Sequence, residues 1–181
     1  MSEKKTKDNQ IDTSDKNLEK VIKISRVTKV VKGGKRLAFR SVVVVGDRKS
    51  NVSFGIGKAR DVPTSIKKAI DKAYKSLFKV YIVDSTIPHE VLGKFGSTKV
   101  LIKPAKYGTG VIAGSSAKII FEAAGIENIV AKVYGSRNPI NVALATLNGL
   151  NSLLSVNEVE SRRNVKLSIY QKSKEESNVT N

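Results

Sequence analysis

Cysteine and histidine are almost absent from this sequence. Its 181 residues include no cysteine and a single histidine, His89. A chain without cysteine can form neither a disulfide nor a reactive thiolate, which fits a reducing compartment. One histidine is too few for the usual zinc sites or for catalysis that depends on several histidines. The composition therefore predicts a protein with no bound metal and no cofactor.

Long apolar runs are also missing. No stretch approaches the ~18 to 20 apolar residues that a membrane-spanning helix needs. The first twenty residues contain five lysines and five acids, unlike the positive and then apolar pattern of a secretory signal peptide. We therefore expect a cytoplasmic protein with no membrane partner.

Acidic residues are scarce relative to basic ones, with 16 Asp and Glu against 33 Lys and Arg, a net charge of +17. The excess is concentrated, because residues 21–80 carry net +13 whereas residues 81–160 carry +1. Such a charge predicts a polyanionic partner, most often nucleic acid. The near-neutral half cannot be held mainly by counterion release, so we expect it to dock on protein or on RNA through local shape.

Aromatic residues make up only 6% of the chain. That is too few for an extended surface on which unpaired bases stack, so contacts to phosphates and 2′-hydroxyls of structured RNA are favoured. Sequence-specific DNA binding has no helix-turn-helix or zinc pattern to support it.

One segment, Val52 to Lys79, combines the features of an RNA-holding element. Its apolar residues recur at helical spacing and predict one buried helix face: Ile66, Ile70, Ala73, Leu77 and Phe78. Another face carries a lysine stripe: Lys68, Lys72, Lys75 and Lys79. Asp61 to Pro63 marks the helix start. Gly55 to Gly57 predicts a turn or a close backbone approach, and Lys58 and Arg60 are expected to hold phosphate near the positive helix N-terminus.

Upstream of this segment the pattern is that of strands. Residues 1–17 have almost no apolar content and are predicted to be disordered until bound. Alternating and β-branched runs then predict strands separated by basic turns at Lys32 to Arg36 and at Asp47 to Asn51. With the helix, they predict a three-stranded antiparallel sheet with one helix, forming an α+β domain over residues 18–81.

The second half predicts a β-β-α-β-α domain over residues 82–156, again of the α+β class. Its helices are expected from Ser115 or Ser116 to Ala124 and after Asn138-Pro139. Residues 157–181 turn polar and basic and predict an extended tail. Short strands are predicted at Val80 to Val83, Val91-Leu92, Val100 to Ile102 and Asn128 to Tyr134.

The candidate RNA-binding residues are exposed cations and the turn glycines between them. Replacing any one cation is expected to weaken RNA binding broadly rather than to change specificity. The candidate residues are Arg26, Lys29, Lys32, Gly33, Gly34, Lys35, Arg36, Arg48, Lys49, Lys58, Arg60, Lys68 and Lys72.

Four motifs, VTKVVKGGKRLAFRSVVVVGD, FGIGKARDVP, KPAKYGTGVIAG and AKVYGSRNPINV, resemble those of the bacterial small-subunit ribosomal protein S5 family. The resemblance covers about residues 18 to 155. It implies a double-stranded-RNA-binding-like domain lacking the usual first helix, joined to a C-terminal α+β domain. It also implies a structural constituent of the small ribosomal subunit that binds small-subunit ribosomal RNA, contacts the S4 and S8 proteins, and supports head–body conformation and translational accuracy.

The same resemblance implies roles for particular residues. It places Lys29 and Lys32 to Lys35 in a loop whose changes give spectinomycin resistance. It places Gly110 and Lys118 at a contact with a neighbouring ribosomal protein, where a weaker interface loosens decoding. The sequence departs from the family pattern at Asp47 to Asn51, where a glycine-rich turn is usual, and at Ser53, where glycine is common.

Two other functions compete with this interpretation. Pro104 to Gly108 and Gly114 to Ala117 resemble the phosphate loop of small-molecule kinases, but residues 81–160 offer only six scattered acids as magnesium ligands or base. We therefore expect no enzyme activity and no small-molecule substrate. A free double-stranded-RNA-binding protein outside the ribosome stays open, because the charge pattern alone does not separate it from a ribosomal protein.

Overall fold

A computed structural model of the chain describes residues 17–164; the expectations for residues 1–16 and 165–181 fall outside this part. The first sheet contains β1 (Leu18–Val31), β2 (Gly34–Gly46), β3 (Asn51–Ala59) and β4 (Phe78–Lys79). The second contains β5 (Val91–Phe95), β6 (Thr98–Pro104), β7 (Val111–Ile112) and β8 (Ile129–Gly135). The described helices are α1 (Val62–Tyr74), α2 (Ser115–Ala124), α3 (Pro139–Asn151) and α4 (Val156–Arg163).

The predicted α+β class is confirmed in both halves. The first sheet is antiparallel with strand order β1-β2-β3-β4, so the two-residue β4 adds to the three predicted strands. The second sheet has the order β5-β6-β8-β7, in which only β7 and β8 are parallel. The predicted β-β-α-β-α order is present, with the two-residue β7 inserted before α2.

The centre of the first sheet is β2, whose four valines Val42–Val45 are all buried. Alternate residues of a strand point to opposite faces, so a run of four buried valines requires cover on both faces. Val43 and Val45 pack with Ala69 and Ala73 of α1. Val44 belongs instead to the cluster that fills the rest of the molecule.

Helix α1 lies unusually close to β3. A Cβ built on Gly55 would lie 1.9 Å from the carbonyl oxygen of Ala69, and one on Gly57 would lie 2.0 Å from that of Ser65. Both glycines are therefore required by the close approach of the helix. Of the two predicted alternatives at Gly55 to Gly57, the close backbone approach is confirmed and the turn is wrong, because β3 runs through these residues. The buried helix face consists of Ser65, Ala69 and Ala73, while Leu77 is exposed.

The other face of the first sheet packs against the second half of the chain. Val44 and Val52 share one buried cluster with Ile120 and Phe121 of α2 and with Leu150 of α3. The same cluster contains the inward side chains of the second sheet. The two halves therefore share a common core. The sequence analysis predicted two domains and did not predict this shared core.

The β2–β3 loop locks the two halves together. The backbone N–H of Arg48 donates to the carbonyl of Ala123 at the end of α2, at 3.0 Å. Gly125, at φ 86°, lies against the same loop, since a Cβ there would be 2.0 Å from the Arg48 carbonyl oxygen. Lys20 of β1 also reaches Glu122 of α2 at 2.6 Å.

Asp47 organises this loop from within. Its Oδ1 accepts the backbone N–H groups of Lys49, Ser50 and Asn51 at 2.7, 3.0 and 2.9 Å. Partial burial alone would raise the pKa of Asp47, but these hydrogen bonds, with one from the Asn51 side chain, lower the pKa below its ordinary value of 3.8. The carboxylate is therefore ionised at neutral pH and holds Arg48 at a φ of 57°.

Three further expectations need correction. Val80 to Val83 is not a strand: β4 comes earlier, and only Val83 forms an isolated bridge, with Thr86. The tail predicted to be extended from residue 157 is helical at its start, because α4 covers Val156–Arg163 with a capping box between Ser155 and Glu158. Asp61 does precede α1, but its side chain makes no capping hydrogen bond.

Candidate RNA-binding surfaces

Strands β1 and β2 extend beyond β3 as a two-stranded ribbon. The last residue of β3, Ala59, pairs with Phe39, whereas β1 and β2 stay paired as far as Val31 and Gly34. We call residues 27–38 the projecting hairpin. At about 3.4 Å per residue, it reaches roughly 15 Å past the end of β3.

The projecting hairpin is basic along its length. Its tip is Lys32-Gly33, where Gly33 has φ 90° and a built Cβ meets no atom within 4 Å. Val30 and Leu37 are 73% and 53% exposed, so they do not serve the core. The predicted cations of this hairpin are all exposed: Lys29, Lys32, Lys35 and Arg36.

The strand register gathers a second set of cations on one face of the first sheet. Residues 41, 43 and 45 of β2 face α1, so residues 36 and 40 face the opposite side. Lys29 pairs with Arg36, Lys58 pairs with Arg40, and Lys23 pairs with Val42 on that same side. We call these five exposed side chains the cationic face: Lys23, Lys29, Arg36, Arg40 and Lys58.

Lys23 and Arg40 were missed by the sequence prediction. Arg40 has the same parity in β2 as Val42 and Val44, which would have placed it on the sheet face opposite α1. For Lys23 strand parity offers no such signal, because the register of β1 against β2 shifts between Val21 and Lys23.

Cations lie directly opposite one another on this face. Lys29 is the register partner of Arg36, and Arg40 is the register partner of Lys58. Like charges directly opposite on neighbouring strands repel and destabilise the sheet. This cost to folding is relieved when an anion lies between the cations, so the arrangement suits a surface built to bind phosphate.

Other predicted cations lie outside the cationic face. Arg26 and Lys35 have the parity of the α1 side of the sheet. Lys68 and Lys72 are exposed on α1, and Arg60 precedes that helix. Of the lysine stripe, only these two lie within α1, since Lys75 is its C-cap and Lys79 belongs to β4.

Arg48 and Lys49 lie at the far end of the sheet. Strand β2 begins at the projecting hairpin and ends at Gly46, so about 40 Å of strand separates its start from the loop containing Arg48 and Lys49. These two residues therefore do not share a patch with the hairpin tip. Arg48 takes part through its backbone in the contact with α2.

Gly110 and Lys118 flank the edge strand β7. Gly110 has φ 72°; its N–H donates to Asn128 Oδ1 at 3.2 Å and its carbonyl accepts the N–H of Ile129 at 3.1 Å. Lys118 is exposed near the start of α2. Gly110 therefore lies at the sheet edge opposite to β5, and Lys118 lies on the helix that follows this edge strand.

The remaining expected absences concern metals and membranes. Within residues 17–164, no three His, Cys, Asp or Glu side chains are grouped so that they could hold a metal ion. None of the helices in this range has the length and apolarity to cross a membrane. His89 lies in the loop before β5.

Comparison with known proteins extends over nearly all of the described chain. The model of ribosomal protein S5, N-terminal domain, matches residues 17–81, and that of ribosomal protein S5, C-terminal domain, matches residues 93–163. A protein of Syntrophobacter fumaroxidans named small ribosomal subunit protein uS5 is 53% identical, covering 81% of this chain and 88% of that protein. Proteins of the same name from Chloroflexus aurantiacus and Thermotoga maritima are each 50% identical, over 81% of this chain and 83% of theirs.

The fold, the basic first half of the chain and the matches to both domain models together define a two-domain ribosomal protein and not an enzyme. Specifically, the chain belongs to the ribosomal protein S5 family, a family of the small ribosomal subunit. The suspected resemblance is therefore confirmed, and the kinase alternative is dropped.

Proposed function

We propose that this chain is a structural constituent of the small ribosomal subunit and that it holds small-subunit ribosomal RNA through the projecting hairpin and the cationic face. Family membership supports the placement in the ribosome, and hence in the cytoplasm of a bacterial cell. The observation that carries the RNA contact is the pairing of cations across strands, Lys29 with Arg36 and Arg40 with Lys58.

Structured RNA suits these surfaces better than other polyanions. The projecting hairpin is narrow and exposed on both sides, so it can enter a groove and place cations against both phosphate strands. Loss of one cation should then weaken binding to many RNA sequences alike. The part of the chain proposed for this task is residues 18–81, and residues 82–156 form the proposed protein-docking domain.

The proposed function is tested by expressing the full tagged chain in bacterial cells. It should co-sediment with small ribosomal subunits, and ultraviolet crosslinking should attach it to their RNA. Crosslinking between proteins should recover members of the S4 and S8 families as its neighbours. A tagged chain that binds RNA but stays in the light fractions would instead favour the free double-stranded-RNA-binding protein.

We further assign translational accuracy to the edge marked by Gly110 and Lys118. Gly110→Arg puts a large cation into open space beside β7, and Lys118→Leu removes an exposed charge from α2. Each change should weaken a protein contact and so raise misreading in a stop-codon readthrough reporter. The affinity of the purified protein for small-subunit RNA should stay close to that of the wild type.

Two controls separate the contact from other effects. Gly110→Ala imposes the same unfavourable φ of 72° without the bulk or charge, so it should raise misreading much less than Gly110→Arg. Lys67→Leu removes an exposed lysine from α1 and should leave accuracy unchanged. If both test variants lose RNA affinity as strongly as hairpin variants, Gly110 and Lys118 belong to an RNA contact and their assignment to a protein contact is wrong.

A further inference from the structure

The second sheet has one face that no described helix covers. Helices α2 and α3 pack on the side that contains Val100 and Ile102. Alternate residues point to the opposite side, where Leu92 is 43% and Tyr134 49% exposed. We call these outward side chains the open sheet face: Leu92, Lys94, Lys99, Leu101, Lys103, Val130, Lys132 and Tyr134.

The small net charge of this half conceals a strong separation of charge. Four of its seven cations lie on the open sheet face, whereas its acids lie mostly elsewhere, on α2, on α4 and in loops. The nearest acid is Glu90, at the edge of the face, which pairs with Lys103 at 3.1 Å. Both partners are more than half exposed, so this pair neutralises little. The net charge of +1 therefore does not describe what a partner meets on this side.

The lysines of the open sheet face are placed against one another. Lys94 is the register partner of Lys99, and Lys99 is in turn the partner of Tyr134. Within residues 17–164, neither Lys94 nor Lys99 nor Lys132 has an ion-pair partner. Two lysines directly opposite on neighbouring strands repel, so folding alone does not account for them. This is the arrangement already described for Arg40 and Lys58 on the cationic face.

Apolar side chains are interleaved with these lysines. Leu92 pairs with Leu101, and Leu101 pairs with Lys132, so an apolar row lies next to the row that contains Lys99. RNA offers phosphates for the cations and flat base surfaces for tyrosine and leucine, and open antiparallel sheets are a known platform for such contacts. An acidic protein surface would match the charge but leave the apolar row without a specific partner.

We propose that the open sheet face is a second RNA-binding surface, where Lys94, Lys99 and Lys132 contact phosphates and Tyr134 packs against a base or sugar. This inference rests on the proposed function, because it takes ribosomal RNA as the occupant. It extends that function to the half of the chain whose net charge argues against RNA.

The test measures binding of the full chain to transcribed small-subunit ribosomal RNA across a series of KCl concentrations. The face variant Lys94→Gln/Lys99→Gln/Lys132→Gln should bind more weakly and lower the slope of log affinity against log salt by about 2. The matched control Lys106→Gln/Arg137→Gln/Arg162→Gln removes the same charge from exposed positions in the second half of the chain that lie off the face. It should leave the slope unchanged.

Thermal unfolding is a second measurement, which distinguishes lysines that bind RNA from lysines that stabilise the fold. Because Lys94 and Lys99 repel in the free protein, the single change Lys99→Gln should raise the thermal unfolding midpoint while weakening RNA binding. Ultraviolet crosslinking of the wild-type complex should attach RNA to the peptide that contains Tyr134. A lower midpoint with unchanged binding would overturn the proposal.

The outcomes also separate this inference from the proposed function. If the face variant keeps the wild-type slope while hairpin variants lose it, the open sheet face is not an RNA surface and the proposed function stands. If the face variant binds RNA normally but fails to join small subunits, the face holds a protein and the inference is overturned. If neither set of variants changes the slope, the proposed function itself fails.

Discussion

Gly125→Ala is expected to destabilise the folded chain by about 3 kcal/mol or more. A side chain at φ 86° costs about 1 to 2 kcal/mol. The new Cβ would also lie 2.0 Å from the Arg48 carbonyl oxygen, and forcing extra volume into a packed site typically costs about 1 to 3 kcal/mol more. The loop cannot simply move away, because Asp47 holds three of its backbone N–H groups and Arg48 is bonded to Ala123.

Gly108→Ala is the matched control. Gly108 also has φ 86°, but a Cβ there meets no atom within 4 Å, so this change should cost only the backbone strain. Urea unfolding of the two purified variants measures both costs on the same scale. Equal destabilisation by the two changes would mean that strain alone acts and that the contact between the two halves is not tight.

Replacing Lys32, Lys35 and Arg36 together by glutamine is expected to reduce RNA binding more than any other change proposed for the first half. All three are exposed at the end of the projecting hairpin, where each can neutralise a phosphate and release its counterions. The slope of log affinity against log salt should fall by about 2 to 3. Filter binding with small-subunit ribosomal RNA at several salt concentrations measures this slope.

The Lys106, Arg137 and Arg162 triple serves again as control, since it removes equal charge without touching the hairpin. The hairpin variant should unfold at or slightly above the wild-type urea concentration, because its three side chains lie outside the core and Arg36 no longer repels Lys29. In cells, a change in spectinomycin sensitivity is also expected, since the family resemblance implies this role for Lys29 and Lys32 to Lys35. A hairpin variant with the wild-type salt slope would show that these cations do not contact phosphate.

The fold class could be predicted because the sequence patterns are long and strong. Alternation and β-branched runs located β1 and β2, and Asn138-Pro139 located the start of α3, where Asn138 accepts the N–H of Ile140. Two-residue strands such as β4 and β7 have no periodicity, so no pattern of side chains could reveal them. They are strands only because the chain pairs there with a longer strand, β4 with β3 and β7 with β8.

At Gly55 to Gly57 the sequence left two alternatives open, a turn and a close backbone approach, for a different reason. Glycine permits a turn, and it equally permits another backbone to approach closely, so the residue type alone does not choose between them. The packing of α1 decides between the two, because its small residues Ser65 and Ala69 lie directly against β3. The contact belongs to tertiary structure and becomes visible only when both elements are placed together.

The candidate site was predictable in composition but not in grouping. Counting charges identified the basic segment. It did not show that Arg48 and Lys49 lie at the opposite end of β2 from the other predicted cations of that segment. It also treated residues 81–160 as neutral, although the register collects Lys94 and Lys99 on one face. Net charge records how many cations a segment contains, whereas a partner responds to where the strands place them.

The valines of β2 that are buried on both sides have a consequence for synthesis. Val44 and Val52 need α2 as cover, yet α2 is complete only about 65 residues after the end of β3. At elongation rates of roughly 5 to 20 residues per second, one apolar face of the newly made sheet stays uncovered for about 3 to 13 s. During that interval the nascent chain is most exposed to aggregation and to capture by chaperones, while α1 already protects the opposite face.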